Sequence, residues 1–241
     1  MVVKNGNWLL PVFYCRTRDG EKWVGNDDIS AVKISSDCGK TWRDVPVPES
    51  LGCVHMNIAP LADGTLVALF RSRWADHIWI SRSDDGGASW TTPEPTTLPN
   101  KNSSIQVTTL QDGRLALVFN FMSAAGALER RASLYDEIDD GDGRKEPTPV
   151  DGRSAFWGAP RAPMTVALSA DGGKSCPWQR NLDEGDGYCM TNNSQEKLNR
   201  EFSYPSIKQG ADGQLHIAYT WFRQAIKYVR ITPEWIEERA I

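Results

Sequence analysis

Short apolar runs of strand length, rich in valine, isoleucine and aromatic residues, recur along the chain and are separated by Gly, Asp, Asn and Pro. They fall into four groups. The first holds Trp8 to Tyr14 and Ile29 to Ile34, and the second Val54 to Leu61, Leu66 to Phe70 and His77 to Ser81. The third holds Ile105 to Leu110, Leu115 to Phe119 and Met164 to Leu168, and the fourth Tyr204 to Lys208, Leu215 to Trp221 and Ile226 to Ile231. Turn dipeptides mark the groups: Asn5-Gly6, Asp63-Gly64, Asp112-Gly113 and Asp212-Gly213, at steps of 58, 49 and 100 residues. A step near 50 residues suits one four-stranded propeller blade, and the doubled third step predicts a blade carrying a large insertion.

A second repeat follows the last run of each of the first three groups. Ser83, Asp85, Gly87, Ser89 and Trp90 share their spacing with Ser35, Asp37, Gly39, Thr41 and Trp42. A third copy has Ser169, Asp171, Gly173 and Ser175, with its tryptophan displaced to Trp178, which reads as damage to the motif. Aspartate accepts hydrogen bonds from nearby backbone N–H groups, glycine supplies positive φ, and tryptophan buries a large apolar face, so each copy predicts a fixed corner between strands. These repeats resemble the Asp boxes of sialidase-like β-propellers. The resemblance implies an all-β propeller, with about four blades present of the six usual in that family. The whole chain, 1–241, is read as one such domain with insertions at about 122–160 and 179–200.

Within the first insertion, the Ala-rich stretch Ser123 to Leu134 predicts a helical turn, and the charged, Gly/Pro-rich stretch Asp139 to Val150 predicts a mobile surface loop. A calcium-loop reading of Asp136 to Gly143 fails because Ile138 stands at a ligand position and no glutamate closes the loop. The polar stretch Asn181 to Arg200 is the second excursion. The fourth group lacks a corner motif and leads instead to Pro233 to Arg239, a short helix with proline near its first turn.

Composition narrows the class. With 40% hydrophobic and 24% charged residues and ten tryptophans, 241 residues can bury a sizeable core. A net charge of −4 argues against nucleic acid, and no apolar run is long enough for a membrane helix. The five scattered cysteines, Cys15, Cys38, Cys53, Cys176 and Cys189, lack metal-ligand spacing and fit reduced thiols. With no signal peptide in the sequence as given, a cytoplasmic location is expected, and no metal or cofactor is.

Candidate chemistry lies at the inner strand ends. Arg71 and Arg73 close a strand that otherwise reads as buried, Arg161 follows Phe156-Trp157-Gly158-Ala159-Pro160, and Tyr204 lies in Glu201-Phe202-Ser203-Tyr204-Pro205. Separated guanidinium groups can grip a carboxylate through planar paired donors. A neutral phenol is a sensible nucleophile toward an anomeric carbon that carries its own carboxylate, and Glu201 is the nearest acid in sequence to serve as its base. The competing reading pairs the arginines with surface acids and buries Tyr204 as a core residue.

The stretch Pro60 to Arg73 resembles the part of bacterial exo-sialidases that carries the second arginine of their carboxylate triad, which falls on Arg71. Arg161 lines up with the third arginine and Tyr204 with the nucleophile. The family's assisting glutamate falls near His55, which could act as the base given a pKa near neutrality or be a strand residue with a local hydrogen bond. The family's first arginine and aspartate acid belong to earlier blades and have no counterpart here. A truncation, a fragment, or a homo-oligomer that completes the ring would each account for this. The resemblance thus implies an exo-glycosidase for a sialic acid-type sugar, with an acidic glycan as partner. A non-catalytic glycan- or protein-binding propeller, and an acidic-polysaccharide lyase or unusual glycosidase using His55 with Tyr204, stay open.

Overall fold

The computed structural model describes residues 1–125, 143–188 and 197–238. They form four antiparallel sheets in chain order. The first contains β1 (Val2–Lys4), β2 (Asn7–Tyr14), β3 (Ile29–Ser35) and β4 (Arg43–Pro46), and the second β5 (Cys53–Pro60), β6 (Leu66–Ser72), β7 (His77–Ser83) and β8 (Glu94–Pro99). The third contains β9 (Gln106–Thr109), β10 (Leu115–Asn120), β11 (Met164–Ser169) and β12 (Trp178–Asp183). The fourth has only β13 (Phe202–Gln209), β14 (Leu215–Trp221) and β15 (Ala225–Ile231). Every sheet is a meander, and the four are the blades of a β-propeller.

Propeller packing explains why the middle strands read as unbroken apolar runs. Along β6, Leu66, Ala68 and Phe70 enter a core shared with the first blade, while Val67 and Leu69 enter one shared with the third. The alternation of a strand thus feeds two cores rather than one core and solvent. β10 does the same: Ala116 and Val118 face the fourth blade's core, and Leu115, Leu117 and Phe119 face the second's. Full burial of the valine, leucine and phenylalanine side chains among them contributes about 1.5–3 kcal/mol each.

The Asp-Gly turns link first to second strands. In the second, third and fourth blades one set of bonds recurs: the N–H groups of Thr65, Arg114 and Gln214 donate to Asp63, Asp112 and Asp212 Oδ1 at 2.9, 3.0 and 3.1 Å. The repeated corner links third to fourth strands in the first three blades. Asp37, Asp85 and Asp171 Oδ1 each accept from the N–H four residues on at 2.9 Å, and the N–H of Gly39, Gly87 and Gly173 donates to the leading serine Oγ at 2.8 Å. The third corner is therefore intact, because none of its polar bonds requires the displaced tryptophan. At Gly87, with φ of 94°, a Cβ would lie 2.4 Å from Leu9 Cδ2, so this corner is pressed against the first blade.

The insertion departs from expectation. Residues 143–150, read as part of a mobile loop, are stitched to the first blade: Lys145 N–H donates to Gly20 O at 2.8 Å, Lys22 N–H to Lys145 O at 3.0 Å, and Thr148 Oγ1 to Glu21 Oε1 at 2.7 Å. Most of Ser123 to Leu134, the Asp136 to Gly143 stretch apart from Gly143, and Cys189 lie outside the described residues. The terminal helix α1 (Pro233–Glu237) is shorter than expected; Thr232 caps it, and its own Ile236 is fully buried.

Candidate functional site

β6 carries Arg71 and Arg73 past its apolar run into the protein, where they are only 6% and 2% exposed. Two buried cations this close need compensation, and they receive it unequally. Arg73 donates from Nε and Nη2 to Asp28 Oδ2 at 2.9 and 2.8 Å, within a ring of Phe13, Trp23 and Trp157 whose centroids lie 5.7, 5.5 and 5.1 Å from its guanidinium. Arg71 receives a neutral partner: its Nε donates to Asn102 Oδ1 at 2.7 Å, and its guanidinium lies 5.6 Å from the Trp157 ring. Burial, with Arg73 and Arg161 nearby, holds Arg71 well below the usual arginine range.

Arg161 comes from the segment leading into β11. Its backbone N–H donates to Gly187 O at 2.8 Å and its carbonyl accepts from Phe202 N–H at 2.9 Å, which ties it to the entry of β13. Gly187 has φ of 65°, and a Cβ there would meet Arg161 N at 2.5 Å. Arg161 Nη1 lies 3.6 Å from Glu201 Oε1, and its guanidinium lies 5.6 Å from the Tyr204 ring centroid.

Tyr204 has φ of 52° where the pairing of β13 with β14 shifts register. It is 54% exposed, although Phe202 and Ser203 before it are buried. It borders an open depression of about 450 Å³, also lined by Thr220, Arg223, Gln224, Ala225 and Ile226. Partial burial raises the phenol's pKa, but Arg161, Arg71 and Arg223 together outweigh it and bring it below the usual tyrosine value.

The structure thus brings Arg71, Arg161 and Tyr204 into one electrostatic neighbourhood, and sets Glu201 and Arg73 behind them. Glu201 is fully buried; Oε1 accepts from Arg223 Nε at 2.6 Å and from Ser203 Oγ at 3.0 Å. Burial raises its pKa, but Arg161 and Arg223 hold the carboxyl below its usual range, so it stays ionised and serves as counter-ion to two arginines. His55 stacks on Phe13 with centroids 4.7 Å apart. The near-neutral pKa needed for a base is absent, since burial and the charges of Arg71 and Arg73 push His55 down to about 3.

The sequence pattern did not single out Asp28, Asn102 or Arg223, and it gave no role to Trp157. All of them reach the site through long-range packing. Trp157 arrives from the insertion, with Nε1 donating to Val24 O at 2.9 Å. A buried arginine always needs an acceptor, and that was the available signal, but sequence does not say which asparagine or aspartate supplies it.

The BNR repeat-like domain family matches residues 1–217. The chain belongs to that family. Solved structures agree on the fold of this BNR repeat-like domain. The leech intramolecular trans-sialidase, complexed with 2,7-anhydro-Neu5Ac, aligns with a TM-score of 0.62 at 13% identity, over 99% of this chain and 31% of its own. The Hadza microbial sialidase Hz136 aligns at 0.58 and 16% identity, over 87% and 33%. The intramolecular trans-sialidase from Ruminococcus gnavus, in complex with oseltamivir carboxylate, aligns at 0.56 and 15%, over 88% and 39%. The fold of the BNR repeat-like chain is therefore that of a sialidase-like propeller, and it spans 31% to 39% of the length of these structures. No curated protein matches it by sequence.

Proposed function

We propose that this BNR repeat-like propeller binds an acidic sugar of the sialic acid type, with Arg71 and Arg161 gripping its carboxylate and Tyr204 attacking the anomeric carbon. One observation carries the reading: the buried Arg161 guanidinium lies 5.6 Å from the ring of a half-exposed phenol, and it and the buried Arg71 both lower that phenol's pKa. Among the described residues, Asp28 bonds Arg73 and Glu201 bonds Arg223 and lies against Arg161, whereas Arg71 donates to the neutral amide of Asn102. A phenol is suited to this centre because an anionic nucleophile would be repelled by the sugar's own carboxylate. Glu201 acts here as a positioning residue for Arg161 and Arg223.

A second reading, glycan binding without turnover, is favoured by the engagement of both carboxylates with arginines, which leaves neither as a proton donor for a leaving group. The lyase reading loses its base with the depressed pKa of His55. An aryl sialoside such as 4-methylumbelliferyl N-acetylneuraminide separates the first two, because its leaving group departs without an acid. Fluorophore release that disappears in Tyr204→Phe supports the nucleophile. Saturable binding with no release from either protein supports the binding module and contradicts turnover.

A further inference from the structure

We infer that Asn102 is the positioning residue that keeps Arg71 available to an anion, by serving as a neutral acceptor where a carboxylate would consume the charge. The inference rests on the carboxylate reading above and extends it to a residue in the loop between β8 and β9. Asn102 is 2% exposed, and its Oδ1 receives Arg71 Nε at 2.7 Å and Arg73 Nη1 at 3.5 Å. Among the described residues no acid hydrogen-bonds to Arg71, whereas Arg73 has Asp28 and Arg223 has Glu201.

The amide cannot turn round. Its Nδ2 donates to Phe156 O at 2.9 Å, which leaves only the oxygen to face the arginines. Its backbone N–H donates to Asn100 Oδ1 at 2.9 Å, and that same oxygen accepts from Ser72 N–H at 3.1 Å, so the loop is tied to the strand bearing both arginines. Asn102 has φ of 63°, a conformation that asparagine and aspartate tolerate better than most residues. Aspartate would fit the same space and backbone. It would place a negative charge against Arg71 and Arg73 at the loss of one neutral bond to Phe156, and a charged pair outweighs such a bond.

The inference makes the two properties move in opposite directions. Asn102→Asp is expected to have a higher thermal midpoint than Asn102→Ala, yet to bind N-acetylneuraminic acid roughly tenfold or more weakly than wild type. Asn102→Ala, which loses the acceptor but adds no competing charge, is expected to bind more weakly than wild type and more tightly than Asn102→Asp. Midpoints by scanning calorimetry and affinities by titration calorimetry on the full chain decide it. Wild-type binding by Asn102→Asp, or a rank order of affinity that merely follows stability, overturns the inference. Wild-type protein that fails to bind N-acetylneuraminic acid overturns the functional reading instead. Inorganic sulfate titrated into the same three proteins then tests Asn102: weaker sulfate binding by Asn102→Asp than by Asn102→Ala is expected, and the reverse or no difference overturns it.

Discussion

His55 and Tyr204 occupy one structural position in two blades. Each is the third residue of its blade's first strand, with φ of 51° and 52°. In each case two residues stand opposite one: His55 and Met56 face Phe70, and Tyr204 and Pro205 face Tyr219, between the paired positions Val54 with Arg71 and Ser203 with Thr220. Such a bulge breaks the in-and-out alternation and re-aims one side chain. In the fourth blade the re-aimed group is a half-exposed phenol. In the second it is an imidazole lodged against Phe13 beside Arg71.

The imidazole gives a pH prediction. His55 has a folded pKa of about 3 against an unfolded value near 6.5, so between these the unfolded chain binds more protons and stability rises with pH. Its contribution is fully present above about pH 6.5 and is lost as pH falls toward 3, with a slope of at most about 1.4 kcal/mol per pH unit. His55→Asn keeps a residue tolerant of positive φ and removes the titration. Urea midpoints from about pH 7 to about pH 4 should fall less steeply in this variant than in wild type. Parallel profiles would refute the assignment.

The Arg73–Asp28 pair gives a stability prediction. Both side chains are almost wholly buried, 3% and 0% exposed, and they meet at 2.8 Å. Asp28→Asn leaves Arg73 charged and uncompensated, at an expected cost of about 3–5 kcal/mol. Arg73→Met with Asp28→Asn should cost less than the sum of the single changes, because the second change no longer strands a charge. A denaturation cycle over the four proteins measures this, and strict additivity would count against the pairing.

The corner of the third blade gives another. Asp171 makes the bonds that Asp85 makes, including 2.6 Å from Oδ2 to the hydroxyls of Ser175 and Ser89 respectively. Asp171→Ala and Asp85→Ala should therefore each cost about 1–3 kcal/mol. A negligible loss for Asp171→Ala alone would mean that the displaced tryptophan does weaken this corner.

Much of the architecture was legible because it is local. Asp63-Gly64 and its counterparts specify turns within five residues, and the double-sided burial of Leu66 to Phe70 is written as an unbroken apolar run. The third corner reads as damaged because Trp178 is displaced, whereas the polar bonds come from the Ser169–Asp171–Gly173–Ser175 set, which keeps its spacing. Arg71, Arg161 and Tyr204, proposed from their likeness to a known pattern, share one electrostatic neighbourhood. What each arginine pairs with was not legible. Asp28 lies 45 residues from Arg73 and Asn102 lies 31 from Arg71, and the packing of the insertion, through Trp157 and Phe156, fixes both.

The most direct test of the account compares N-acetylneuraminic acid with its methyl ester by titration calorimetry against wild type and Arg71→Met. The account predicts that wild type binds the acid, that the ester binds at least roughly tenfold more weakly, and that Arg71→Met removes the difference. Equal binding of acid and ester by wild type would contradict a carboxylate site at Arg71 and Arg161.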